Sequence, residues 1–147
     1  MKTKIDAVIF DMDGTLSDRR HRLHFLEEKK DWNAFFKAMI KDPPVESLIR
    51  QLKSYYSQGI KIVILTGRPE EYRAETKAWL KNQDITQEMY DLMMRESKNY
   101  EPDLSLKIRL FKTKLKDFNI LKVYDDRKDL IDMWREEGLD CINCSLD

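Results

Sequence analysis

Ile5-Asp6-Ala7-Val8-Ile9-Phe10-Asp11-Met12-Asp13-Gly14-Thr15-Leu16 is the stretch on which the fold turns. Its first half is almost continuously apolar, which suits a central parallel strand covered on both faces. Its second half turns polar around a glycine, as a loop does. Residues two apart in an extended segment face the same way, so Asp11 and Asp13 can converge on one small ligand. Gly14 permits a tight turn that brings backbone N–H groups near an anion.

Downstream, residues 17–45 have helical spacing to about Lys41. Leu23, Phe25, Leu26, Trp32, Phe35, Phe36, Met39 and Ile40 supply apolar faces for two short helices. Pro43-Pro44 ends that region, and Val45 to Ser57 resumes as a helix that Gly59 stops. Ile60 to Leu65 reads as a second buried strand. Thr66-Gly67-Arg68 is then expected to turn into a helix with Pro69 in its first turn, running to about Asn82. Tyr90 to Met94 is a further strand. A helix from about Asp103 sets Leu104, Ile108, Phe111 and Leu115 on one face. Ile120 to Tyr124 is again a strand, Asp125-Asp126 leads into a helix ending near Gly138, and Leu139 to Cys144 closes the chain's strands.

Strands alternating with helices imply right-handed crossovers onto a parallel sheet. The fold predicted is α/β: a three-layer sandwich with a central parallel sheet, in one domain over residues 1–147. A minimal helical insertion occupies 17–45. Ligands in such folds gather at the carboxyl ends of the strands. That rule brings the Asp11, Thr66 and Asp125 loops to one edge.

Bulk composition narrows the rest. Hydrophobic residues at 41% and charged residues at 37% exclude disordered and membrane-spanning classes. Four glycines and four prolines leave no linker. A formal net charge of +0 confines any nucleic-acid contact to a local patch, because long nucleic acid is held largely through its phosphates. The apolar run after Met1-Lys2-Thr3-Lys4 is too short for a signal-peptide core, so a cytoplasmic protein without membrane association is expected. Cys141 and Cys144 form a lone C-x-x-C with no second Cys/His pair, so buried, reduced thiols and no bound zinc are expected.

The three strand ends carry Asp11 with Asp13, then Thr66 with Gly67 and Arg68, then Asp125 with Asp126. Each piece alone suits a turn or a helix cap. Together they form a set of carboxylates whose mutual repulsion a hard divalent cation relieves, and Mg2+ favours a few carboxylates plus water and a substrate phosphate. A lysine completes a phosphate cradle. From the residues alone that lysine is open, since Lys107, Lys112, Lys114 and Lys116 share one segment.

Asp11-Met12-Asp13-Gly14-Thr15-Leu16 resembles the D-x-D-G-T-L signature of the haloacid dehalogenase superfamily of phosphohydrolases. Val63-Ile64-Leu65-Thr66-Gly67-Arg68 is similar to its second motif and Val123-Tyr124-Asp125-Asp126 to its fourth. Met94-Arg95, Tyr100 through Lys107, and Asp125-Asp126-Arg127 with Met133-Trp134-Arg135 resemble the 3′-phosphatase domain of polynucleotide kinase. The resemblance implies roles. Asp11 would be the nucleophile, with Asp13 as general acid and base that also offers its backbone carbonyl to the metal. Thr66 would hold a phosphoryl oxygen, and Lys107 would neutralise developing charge. Asp11, Asp13, Asp125 and Asp126 would form the Mg2+ site. Gly67, Arg68 and Arg95 would meet substrate.

The substrate is less defined. Arg19-Arg20-His21-Arg22 can grip a nucleic-acid backbone, with Arg19 and Arg22 as contacts, or stand as a solvated face offset by Glu27 and Glu28. Trp32, Phe35 and Phe36 can stack on a base or belong to the core. The short insertion looks like the capless type of the superfamily, whose open site admits polynucleotide ends. No G-x-x-x-x-G-K-[ST] loop is present in these residues, so kinase activity by that route is not expected. The reading is a Mg2+-dependent phosphomonoesterase working through an aspartyl-phosphate on the 3′ ends of DNA or RNA. The alternative is a phosphatase of mononucleotides or other small esters. Receiver domains share the residue types but carry their acidic pair after the first strand. A non-catalytic binding module is disfavoured because no expected side chain is missing. The oligomeric state is left open.

Overall fold

The computed structural model describes residues 3–146; Met1, Lys2 and Asp147, the ends of the expected 1–147 domain, lie outside them. Five strands form one parallel sheet: β1 (Ile5–Phe10), β2 (Lys61–Pro69), β3 (Tyr90–Arg95), β4 (Phe118–Asp125) and β5 (Cys141–Asn143), in the order β3-β2-β1-β4-β5. Helices α1 (Trp32–Lys37), α2 (Glu46–Ser57), α3 (Arg73–Asn82), α4 (Asp103–Lys114) and α5 (Lys128–Glu136) connect them. Short 3-10 turns occupy Arg20–Leu26, Ala38–Lys41, Glu70–Tyr72 and Gln87–Met89. Among the described residues no helix is long and apolar enough to cross a membrane.

Alternation along β1 and β2 sorts the core into two layers. Val8 and Phe10 with Ile62 and Ile64 pack toward Ile49 and Leu52 of α2 and Trp79 and Leu80 of α3. Ile9, Val63 and Leu65 pack toward Leu106 and Leu110 of α4 and toward Leu130, Ile131 and Trp134 of α5. Both faces are therefore buried, which is why the strands read as apolar runs instead of alternating. The strand order reverses between β1 and β4. A crevice opens at the carboxyl ends of strands on either side of such a reversal. Asp11 follows β1 and Asp125 ends β4, so the sheet itself brings them together.

Several local expectations are corrected. Thr66 to Pro69 stays in β2 and does not open a helix; a register shift lets Pro69 pair with Arg95 before the turn at Glu70. The inward face of α4 is Leu106, Lys107 and Leu110, while Leu104 is exposed and Ile108 and Phe111 only flank the core. The helix is rotated from its hydrophobic line because two carboxylates draw Lys107 inward. In the insertion, Leu23 points out and Arg22 is buried, the reverse of what the apolar spacing predicts. That segment is a 3-10 turn with a period near three, and two acidic partners reward burial of the arginine. Cys141 is buried on β5, but Cys144 lies beyond the strand and is half-buried; both are free thiols. Burial, with Asp125 nearby, pushes each thiol up to about 12.

Candidate active site

The backbone after β1 turns sharply. Gly14 has φ +88°, a left-handed conformation, and a Cβ there would run into the Asp126 carboxylate. The glycine therefore serves both the turn and the approach of Asp126 to Asp11. Side-chain oxygens of Asp11, Asp125 and Asp126 all lie within 4.8 Å of one another. Among the described residues no other group of three potential metal ligands forms, and neither cysteine belongs to this one.

Lys107 reaches into the group from α4. Its Nζ donates to Asp11 Oδ1 at 2.8 Å and to Asp125 Oδ2 at 3.1 Å. Burial alone pushes an ammonium toward neutrality, but the two carboxylates reverse this and hold Lys107 firmly protonated, above its ordinary value. Lys112 and Lys114 share the helix without reaching the group, so placement settles what the sequence left open about which lysine turns inward. Trp134 Nε1 donates to the same Asp125 oxygen at 3.1 Å, and the Asp126 amide donates to Asp125 Oδ1 at 2.9 Å. Thr15 Oγ1 donates to Asp11 Oδ2 at 3.2 Å.

Asp126 is served differently. Arg19 stands 3.3 Å from Oδ2, while Oδ1 is buried and no hydrogen-bond donor reaches it. Desolvation raises the carboxyls of both Asp11 and Asp126; Asp11 stands well above its ordinary range, with Asp125 and Asp126 adding repulsion. A buried acceptor without a donor beside like charges is the donor set a hard cation suits.

Asp13 faces another way. Its carboxylate accepts from Arg68 Nε at 3.0 Å and from an Arg68 terminal nitrogen at 2.8 Å, and Arg22 also donates to it. Burial works to raise this carboxyl, yet the two guanidinium groups overcome it and hold Asp13 well below the usual carboxylate range. Arg22 is anchored from behind by Asp42, with contacts of 2.8 and 2.6 Å, and His21 Nε2 lies 2.6 Å from the same carboxylate. Asp42 was not legible as a site residue, since Asp42-Pro43-Pro44 reads as a turn.

The side chains expected at substrate fall into two sets. Arg22 is 0% exposed and Arg68 is bound to Asp13 and to Thr76 Oγ1, so both hold Asp13, and Arg68 also lines the cavity that holds Asp11. Arg95 donates to the Gly67 and Glu101 carbonyls and to Asp103, tying the loop after β3 to β2, and it lines the same cavity. A Cβ at Gly67 would meet Asp103, so that glycine admits the acid that Arg95 and Arg127 share. Arg19 alone of the Arg19–Arg22 stretch reaches the acidic group, and Arg20 pairs with Asp18. The offsetting acids are thus Asp18, Asp42, Asp13 and Asp126, not Glu27 and Glu28. Thr66 is buried behind this surface, its Oγ1 accepting the Arg68 amide at 3.1 Å.

Asp11, Asp13, Lys107 and Asp126 line one cavity of about 590 Å³, within the range of small-ligand sites. Leu26, Trp32 and Phe36 of the insertion line it, as do Arg95, Glu96 and residues 98–103.

The chain matches the family described as the polynucleotide kinase PNKP phosphatase domain over residues 5–146. It is similar to a chain of the Pnkp1/Rnl/Hen1 complex, with 31% identity and a TM-score of 0.82 over 97% of this chain and 46% of that one. The corresponding chain of the Pnkp1/Rnl/Hen1 RNA repair complex is 31% identical, with a TM-score of 0.81 over 95% of this chain and 42% of that one. This chain thus spans less than half the length of those relatives. The class C acid phosphatase from Bacillus anthracis with tungstate bound shares the fold, at 16% identity and a TM-score of 0.70 over 97% of this chain and 67% of that one.

Proposed function

We propose, from the premise that the chain belongs to the polynucleotide kinase PNKP phosphatase-domain family of haloacid dehalogenase-type phosphatases, that it removes 3′-phosphates from polynucleotide ends with Mg2+. The observation that carries this reading is the shared cavity. Asp11, Asp13, Lys107 and Asp126 line one space together with residues of the short insertion and of the loop after β3, and one Asp126 oxygen has no hydrogen-bond donor. The place of a related chain in an RNA repair complex supports a polynucleotide as substrate.

The chemistry runs in two halves. Asp11 attacks phosphorus, the ester P–O bond breaks, and the leaving oxygen takes a proton from Asp13. Water, giving its proton to Asp13, then attacks the aspartyl-phosphate, releasing inorganic phosphate and restoring Asp11. Asp13 is poised as a base, because two guanidinium groups hold it ionised. A dianionic phosphate beside it raises its proton affinity, since like charge disfavours the carboxylate. Lys107 stands against Asp11, where negative charge accumulates on the transferring group. Thr66 is assigned to a phosphoryl oxygen.

Asp11 and Asp126 would hold Mg2+ directly, with the Asp13 carbonyl expected beside them. Asp125 spends both oxygens on Lys107, Trp134 and the Asp126 amide, and so positions the set. When bound, the cation supplies charge neutralisation for the carboxylates and the phosphate.

Metal binding should be visible as stability, with a defined pH dependence. The folded-state proton affinities of Asp11 and Asp126 are raised, so their contribution is present at low pH and is lost as pH rises through those raised values. A cation removes that penalty. Mg2+ at about a hundredfold excess over Kd should add roughly 2.7 kcal/mol, a Tm rise on the order of 5–10 °C. The rise should be larger near pH ~7.5 than near pH ~5. Thermal melts in Mg2+ and in chelator would show it, and an equal shift at both pH values would contradict the assignment.

Substrate class is tested by comparing phosphate release from a 3′-phosphorylated oligonucleotide with release from a 3′-mononucleotide. The oligonucleotide should have the higher kcat/KM. Faster turnover of the mononucleotide would move the function to nucleotides or other small esters.

A further inference from the structure

Trp32 is an anomaly of the insertion. Of the chain's three tryptophans, Trp79 and Trp134 are buried, whereas Trp32 is 50% exposed and lines the cavity that holds Asp11. It is the outermost ring of a supported stack. Its ring lies nearly parallel to Phe36, 24° apart with centroids at 6.0 Å, and Phe36 lies against Tyr72 at 5.0 Å. Phe35 meets Trp32 and Phe36 edge-on, at 5.9 and 5.2 Å. The Tyr72 hydroxyl donates to Asn33 Oδ1 at 2.8 Å, tying the stack's inner end back to α1.

The stack is also tied to the chemistry. The Arg22 guanidinium that donates to Asp13 sits 4.3 Å over the Phe35 ring and donates to the Phe35 carbonyl. One rigid connection therefore runs from Asp13 through Arg22 and Phe35 to Trp32. Tyr100, 89% exposed, lines the same cavity, as do Lys98 and Arg127. Aromatic faces with basic side chains around an acidic, phosphate-handling floor are the components of a site for a single-stranded nucleic-acid end.

Resting on the proposed 3′-end reading, we infer that Trp32 is the stacking platform for the base of the 3′-terminal nucleotide, in a cavity that Tyr100 also lines. The occupant is a nucleobase and not a peptide or lipid group, because its site is continuous with the carboxylates and Lys107 that take the phosphate. Every base has a π-face, so the platform recognises a base without reading its identity. It also explains why the insertion keeps a large ring half in water: the open ring becomes covered in the complex.

The test uses the whole chain with two 3′-phosphorylated oligonucleotides, one with a normal terminal nucleoside and one abasic at that position, with p-nitrophenyl phosphate as a small ester. The parent should favour the base-bearing end in kcat/KM by about tenfold or more. Trp32→Ala should collapse that ratio toward one, and Trp32→Phe should retain most of it. A parent ratio near one, or a ratio that Trp32→Ala leaves intact, overturns the platform. If the parent turns over p-nitrophenyl phosphate but neither oligonucleotide, the 3′-end reading fails separately. The platform is then judged by titrating Asp11→Asn with both oligonucleotides and following tryptophan fluorescence. Quenching by the base-bearing end alone supports it, and equal or absent quenching overturns it.

Discussion

Asp11→Asn is expected to abolish phosphate release, lowering kcat on the order of 10⁴-fold or more, because the amide cannot displace an alkoxide at phosphorus. The substitution is nearly isosteric, so the surroundings persist. Lys107 keeps an oxygen to donate to and retains Asp125, and Thr15 loses only a weak partner at 3.2 Å. The same change should make the metal-free chain more stable near neutral pH. Asp11 is buried against two other acids and stands well above the ordinary carboxylate range, so its ionised form is penalised in the fold. Asparagine removes that penalty and also weakens the cation site, so the Mg2+-induced rise in Tm should shrink. Loss of turnover with a raised chelator Tm is the expected pair of results. Residual turnover above about one per cent of the parent would place the nucleophile elsewhere.

The asymmetry between these two readouts reflects how much of the site the chain's local order encodes. Asp11, Asp125 and Asp126 were legible because each stands where an apolar run meets polar residues, and a parallel sheet collects such points at one edge. Lys107 was not legible by spacing, since the apolar residues of α4 argued for a different inward line; resemblance selected it, and the two carboxylates explain the rotation. Arg22, Arg68 and Arg95 are legible as residues of interest, but the acids they bind are not. Sequence gives a charge without its direction, and here the acids that claim them, Asp13, Asp42 and Asp103, come from separate segments. Asp42 carried no signal at all. Its role depends on a ring of contacts that exists only once the insertion has folded back over the β1 loop, through the Asp18 amide on the Pro43 carbonyl and the Val45 amide on the Leu16 carbonyl.

Arg22→Ala should be the most damaging change away from the reacting atoms. It leaves Asp42, 4% exposed, with His21 and a distant Arg68 at 3.8 Å, and it removes one of the two guanidinium groups on Asp13. Stripping one partner from a buried pair costs about 3–5 kcal/mol, enough to lower Tm by roughly 10 °C or more in a chain of this size. Turnover should fall as well, because Asp13 keeps Arg68 but loses the contact that ties it to the insertion. Stability and positioning can be separated by removing both buried charges. The double variant Arg22→Met, Asp42→Leu replaces the ion pair with apolar groups of similar length, an exchange that is often neutral or stabilising. Its Tm should recover most of the loss, while kcat should stay near that of Arg22→Ala. Recovery of both would reduce Arg22 to a packing element. Recovery of Tm alone would mean that the arginine is retained, despite its burial cost, to hold the proton-transfer group in place.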